Sequence, residues 1–141
     1  MEVRMKQLLC LTLAGLAAAG CTANGPPDPE AARRGAAELA AALEGYEQAG
    51  PPVSCVQLRE LHGNRSAGDA IVFDGVTGGT LYVNRPPGGC PPLDSGRALV
   101  TRTSTTQLCR GDIADIVDPV SGTHFGGCGL GDFVPYRRVR R

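Results

Sequence analysis

Hydrophobic and polar positions follow three regimes along this chain. From Leu8 to Ala19 no charge interrupts the run. From Ala32 to Tyr46 apolar residues recur at three- and four-residue steps. Beyond Ser54 they alternate with polar ones in short stretches broken by Gly and Pro. The middle regime predicts a helix over residues 28–50, with Asp28 as N-cap, Pro29 in the first helical position and Glu30 in the first turn. Its apolar stripe is Ala32, Ala36, Leu39, Leu43 and Tyr46, and Gly50-Pro51-Pro52 ends it. Glu30–Arg34 and Arg34–Glu38 are spaced as i,i+4 pairs on its flank.

The third regime predicts strands at Cys55–Leu58, Ala70–Val76, Thr80–Asn84, Ala98–Thr103, Ile113–Val117 and Phe133–Tyr136. Ile71 and Phe73 alternate with Val72 and Asp74, and Leu81 and Val83 flank Tyr82, which is the period of a half-buried strand. Thr77-Gly78-Gly79 between these runs makes residues 70–85 a β-hairpin. Pro86 to Pro92, with three further Gly and Cys positions between, cannot continue a strand. The expectation is a mainly β fold. It would be a small antiparallel sandwich or barrel of about five to six short strands, preceded by one N-terminal helix and cross-linked by disulfides.

The first regime is a secretory leader. Arg4 and Lys6 give a basic start, the apolar run is shorter than the ~20 residues a helix needs to span a bilayer, and small residues close it. Leu16-Ala17-Ala18-Ala19-Gly20-Cys21 resembles the lipobox of bacterial lipoproteins, with Ala18 where Leu is usual. That resemblance implies a signal peptide over 1–20 and an acylated Cys21 as the first residue of the mature protein. The alternative is plain secretion, with cleavage at Ala17-Ala18-Ala19. Cys10, preceded by the large Gln7, Leu8 and Leu9, lacks the small-residue context. Each buried methylene of an acyl chain contributes ~0.8 kcal/mol, so two chains hold a protein on a membrane. Thr22 rather than Asp after the lipidated residue is similar to the sorting pattern for the outer membrane, facing the periplasm. Inner-membrane anchoring and secretion are the alternatives. Residues 21–27 then form a turn-rich linker reaching about 20 Å, residues 51–136 the β domain, and 137–141 a basic tail.

Composition sharpens the picture. The chain balances 14 basic against 14 acidic residues; Arg4 and Lys6 leave with the leader against Glu2, so the mature domain is slightly acidic. This gives no electrostatic case for a nucleic-acid partner. Twenty Gly, eleven Pro, no Trp, three Tyr and three Phe describe a turn-rich chain with few large rings for its core. Cross-links would compensate. Cys55, Cys90, Cys109 and Cys128 form an even set in an exported domain, which reads as two disulfides. No Cys-x-x-Cys pair accompanies them, and His62 and His124 stand apart, so no metal or other cofactor is expected. Three connectivities are possible and loop entropy does not choose among them. Context favours Cys55–Cys109, beside strand-like runs, and Cys90–Cys128, both in Gly-Gly-Cys loops.

A family resemblance covers residues 55–136. Tyr82-Val83-Asn84-Arg85 leading to Cys90-Pro91, then Thr103 to Cys109 with Asp112 and Ile113, then Cys128-Gly129-Leu130-Gly131-Asp132-Phe133-Val134-Pro135, resembles a family of small Gram-negative lipoproteins with a Cys-rich β domain and no assigned activity. It implies compartment and a β-rich fold, and carries over no catalytic residue.

Other features point to chemistry only superficially. Asp112, Asp115 and Asp118 lack the Gly and terminal Glu of an EF-hand loop. Gly126 to Gly131 lacks the Lys-Ser/Thr of a phosphate loop. No Gly-x-Ser-x-Gly elbow accompanies the two histidines, so the protein is not expected to be an enzyme. Arg137, Arg138, Arg140 and Arg141 form the one charge cluster, a candidate contact for an anionic surface. The expected function is a membrane-tethered envelope lipoprotein with a structural or binding role. Its partner would be an envelope protein, peptidoglycan or lipopolysaccharide. The alternative is an envelope enzyme, or an enzyme inhibitor, with a site built from loops.

Overall fold

The computed structural model describes residues 28–90, 93 and 96–140. Helix α1 (Pro29–Ala42) is followed by strands β1 (Tyr46–Gln48) and β2 (Cys55–Gln57), a 3-10 turn (Leu58–Glu60), β3 (Leu61–Ala67), β4 (Ala70–Gly75) and β5 (Thr80–Asn84). Then come β6 (Ala98–Thr101), β7 (Gln107–Cys109), β8 (Ile113–Val117), β9 (His124–Gly129) and β10 (Phe133–Arg138). The protein is therefore a mainly β domain with one N-terminal helix, antiparallel sheets and two disulfides. Among the described residues there are ten strands where five or six were expected.

A five-stranded sheet, ordered β1-β10-β5-β4-β3, forms the middle layer. Its strand pairings place Val72, Leu81 and Val83 on one face and Ile71, Phe73 and Phe133 on the other. The first face packs with Leu39 of α1 and is flanked by Tyr46 and Tyr136. The second meets Val56, Leu108, Leu99, Ala114, Ile116 and Leu130, contributed by the two-stranded β2-β7 sheet, the three-stranded β6-β8-β9 sheet and the turn after β9. Phe73 and Phe133 meet there with ring centroids 5.7 Å apart, a tilted pair that suits aromatic quadrupoles. Two thin cores thus share one sheet.

The predicted hairpin at 70–85 forms, with Ile71 opposite Asn84 and Phe73 opposite Tyr82, but β4 is not half-buried: Ala70 to Phe73 are buried on both faces of the sheet. Helix α1 begins as predicted: the Asp28 carboxylate accepts the Glu30 N–H at 2.9 Å and Pro29 opens the first turn. It ends sooner than predicted, at Ala42 rather than residue 50. Leu43 leaves helical geometry and Gly45 takes φ +76°, turning the chain so that Tyr46 enters β1 opposite Arg138. The buried line on α1 also differs from the predicted stripe. Gly35 and Leu39 are buried, whereas Ala32 and Ala36 are exposed.

Gly35 explains the rotation. A Cβ at that position would lie 2.9 Å from the Gly68 Cα, so the helix axis approaches the β3–β4 turn more closely than any side chain permits. Glu38, one turn on, accepts the Gly68 N–H at 3.0 Å and fixes that contact. The flank pairs expected for Arg34 do not form among the described residues; Glu38 serves the turn instead.

Candidate functional site

Cys21, the signal peptide 1–20 and the linker from residue 21 to 27 lie outside the described residues, as does Arg141. Among the described residues no helix is long and apolar enough to cross a membrane.

Both disulfides have the favoured connectivity. Cys55 and Cys109 face each other across β2 and β7, Cα atoms 4.0 Å apart. The Arg110 N–H donates to the Ser54 carbonyl and the Leu58 N–H to the Thr106 carbonyl, which leaves Cys55–Cys109 at a non-hydrogen-bonded position, where opposed side chains are closest. Cys90 reaches Cys128, with a Cα separation of 5.4 Å, and ties the loop after β5 to β9. Cys128 lies within a strand, correcting its expected place in a loop. Loops of 54 and 38 residues are each worth about 4 kcal/mol in the chain-entropy account.

The basic tail is not a separate tail. Arg137 and Arg138 belong to β10, opposite Glu47 and Tyr46. Arg138 donates to the Tyr46 hydroxyl at 2.9 Å and lies 5.1 Å from its ring centroid. The chain continues in register as far as Val139, whose N–H bonds to the Gly45 carbonyl. Glu44, Glu47 and Glu60 belong to the same end of the sheet, since Val76 there bonds to the Glu60 carbonyl. Burial raises the Tyr82 hydroxyl pKa above its ordinary value; the Glu60 charge adds to this and Arg137 opposes it. The end is thus of mixed charge rather than uniformly basic.

The aspartates each have a structural partner. Asp112 accepts the Cys109 N–H at 2.8 Å. Asp115, on the open face of the β6-β8-β9 sheet, faces Arg102 at 3.4 Å and His124 at 3.1 Å. Asp118 accepts the N–H groups of Ser121 and Val120 in the β8–β9 turn, and these hold its carboxyl below the usual range. Among the described residues no group of three or more His, Cys, Asp or Glu could hold a metal ion. His124 has both ring nitrogens engaged, Nε2 toward Asp115 and Nδ1 accepting the Gly126 N–H, and neither meets a serine. His62 is exposed on β3.

One concave feature escaped the sequence reading. A groove of about 920 Å³ runs beside the N-terminal half of α1, floored by Ala32, Gly35, Ala36, Gly68 and Gly89 and bordered by the Cys90 half of a disulfide. Its rim carries Asp28, Arg34, Glu38, Asp69 and Arg85. Asp28 and Glu38 are committed to backbone N–H groups, and Arg85 lies 3.8 Å from Asp69. The size suits a small ligand, but Asp28, Glu38, Asp69 and Arg85 are already engaged and the rim charges do not converge on one point within it. The signal that could have found it is Gly35, a residue that costs ~1 kcal/mol in a helix interior and so marks a close approach.

Comparison with models of protein families, with curated proteins and with solved structures finds no match for this chain.

Proposed function

We propose that this protein is a lipid-anchored domain of the bacterial cell envelope that acts by binding rather than by catalysis. The observation that carries the reading is the pairing of a lipobox-like Leu16 to Cys21 with a domain held by two disulfides, a construction that needs an oxidising compartment outside the cytosol. Acyl chains on Cys21 hold the chain at the membrane, and residues 22–27 keep the domain within about 20 Å of it. The outer membrane, on its periplasmic face, is the expected residence. At the end of β10, arginines interleaved with Glu44 and Glu47 suit a protein or peptidoglycan partner better than a purely anionic lipopolysaccharide surface.

The test is Cys21→Ser. Membrane fractionation of the parent should require detergent for release, and intact mass should show a chain starting at Cys21 with acyl groups attached. The variant should lose both properties. A Cys21→Ser chain that still fractionates with membranes, or a parent with unmodified Cys21, overturns the proposal.

A further inference from the structure

We infer that Cys55–Cys109 is an exchangeable disulfide, reduced and re-formed in the folded protein by a dithiol partner, whereas Cys90–Cys128 is a fixed cross-link. The two bridges differ in their surroundings. Cys128 is 6% exposed, and both Cys90 and Cys128 pack with the core between the sheets. Cys55 and Cys109 lie outside both cores, and each is half-buried. Val56 and Leu108, the middle residues of β2 and β7, face inward and are buried, so strand alternation turns the cysteines outward. An incoming thiolate therefore reaches this rung without opening the core.

The strands around the rung hold without it. Ahead of Cys55, Val53 and Phe133 exchange two backbone bonds of 2.9 Å, which fix that segment on β10. Beyond Cys109, the Gly111 N–H donates to the Leu130 carbonyl and the Leu130 N–H to the Asp112 carbonyl, each at 2.9 Å. The Asp112 carboxylate in turn accepts the Cys109 N–H. The Arg110–Ser54 and Leu58–Thr106 backbone bonds close the ladder on either side. Reduction thus releases two thiols that stay opposed, and a bond between pre-positioned thiols re-forms readily.

The face beside the rung is open to a partner. Gln57 and Gln107 oppose each other at the next outward position, about 7 Å along the ladder. Neither side-chain amide is hydrogen-bonded among the described residues. A cleft of about 370 Å³ adjoins them, lined by Gln57, Leu58, Arg59, Thr105 and Thr106. Amides and a guanidinium suit the backbone of a protein that carries the dithiol. One partner thiolate attacks one sulfur of the rung, forming a mixed disulfide and expelling the other cysteine as a thiolate. The partner's second thiolate then attacks its own sulfur in that mixed disulfide and releases the remaining cysteine. Two electrons pass to Cys55 and Cys109, the partner leaves as its disulfide, and its two protons end on the new thiols. This exchange goes beyond the anchoring role and does not depend on the lipid.

Dithiothreitol acting on the full chain in neutral detergent, without denaturant, tests it. Alkylation and peptide mapping should show Cys55 and Cys109 reduced roughly 100-fold faster than Cys90 and Cys128, at a rate proportional to dithiothreitol. The reduced chain should keep a cooperative urea transition, and oxidised dithiothreitol should restore the same bond. Gln57→Glu sets a carboxylate about 7 Å from the rung and should slow the exchange roughly threefold at low salt. Equal rates for the two bridges, or a Cys55–Cys109 bond that yields only as urea unfolds the chain, overturn the inference. So does a reduced chain that unfolds without cooperativity or fails to re-form this bond. An unchanged rate in Gln57→Glu overturns the approach face assigned to the partner. None of these outcomes bears on membrane release of Cys21→Ser.

Discussion

Asn84 is the buried polar side chain on which the joint between β5 and the β9–β10 connection depends. It is fully inaccessible to solvent, its Nδ2 donates to the Gly131 carbonyl at 2.7 Å, and its Oδ1 accepts the Gly131 N–H at 2.9 Å. The side-chain amide therefore acts as one more peptide group in the ladder. A Cβ on Gly131 would lie 2.3 Å from the Arg85 carbonyl oxygen, so the two chains meet closely here. Asn84→Ala removes both bonds and strands a buried donor and a buried acceptor. Each costs about 1–3 kcal/mol, so the expected loss is on the order of 3–5 kcal/mol. Against a total of roughly 5–15 kcal/mol for a domain, that shifts a urea midpoint by about 2–3 M.

Asn84→Asp separates the two bonds. A carboxylate can still accept the Gly131 N–H, but its second oxygen then confronts the Gly131 carbonyl. Only the protonated acid restores a donor there, so the folded state should raise that carboxyl above its unfolded value of about 3.9. A raised folded pKa gives stability that is full below the unfolded pKa and is lost as pH rises through the folded one. Urea melts of parent and variant should therefore lie close near pH 3.5 and separate as pH approaches 7. A gap that is flat with pH, or an Asn84→Ala loss under about 1 kcal/mol, would refute the reasoning.

Two further outcomes follow from contacts of similar clarity. Gly35→Ala gains about 1 kcal/mol of helix propensity but drives a methyl into the Gly68 backbone, a strain of about 1–3 kcal/mol; urea melts should show net destabilisation, and a stabilised variant would mean that α1 is not held against the turn. Asp118 has its carboxyl held low by the Ser121 and Val120 N–H groups, so its contribution is present above an unfolded pKa of about 3.9 and is lost as pH falls through the lower folded value. Exchange of the Val120 and Ser121 amides, corrected for intrinsic rates, should therefore rise at acid pH in the parent, and in Asp118→Ala should be raised at all pH without that acid step.

Where the sequence was legible, one local signal coincided with one tertiary role. Ala70 to Phe73 run apolar without a break because the sheet has a core on each side, Leu81 and Val83 face the α1 side, and Gly78-Gly79 supplies the turn between the strands. Asp28-Pro29 announces a helix start without help from elsewhere. The missed strands lack such coincidence. β9 is His-Phe-Gly-Gly-Cys-Gly, a poor strand by propensity, held instead by β8 on one side and the Cys90 bridge across. Tyr46 continues the helical spacing, yet Gly45 turns it into β1, where Arg138 covers its ring.

β3 was invisible for a related reason. Leu61 and Ala67 are its only aliphatic residues larger than glycine; most of its side chains are exposed and, among the described residues, no strand pairs with its outer edge, so periodicity has little to record. The groove beside α1 is as silent: every carboxylate on its rim already has a partner, two of them through backbone N–H groups, so no unpaired carboxylate marks it. A surface that binds another molecule leaves the same blank in a hydrophobic pattern as a solvated edge.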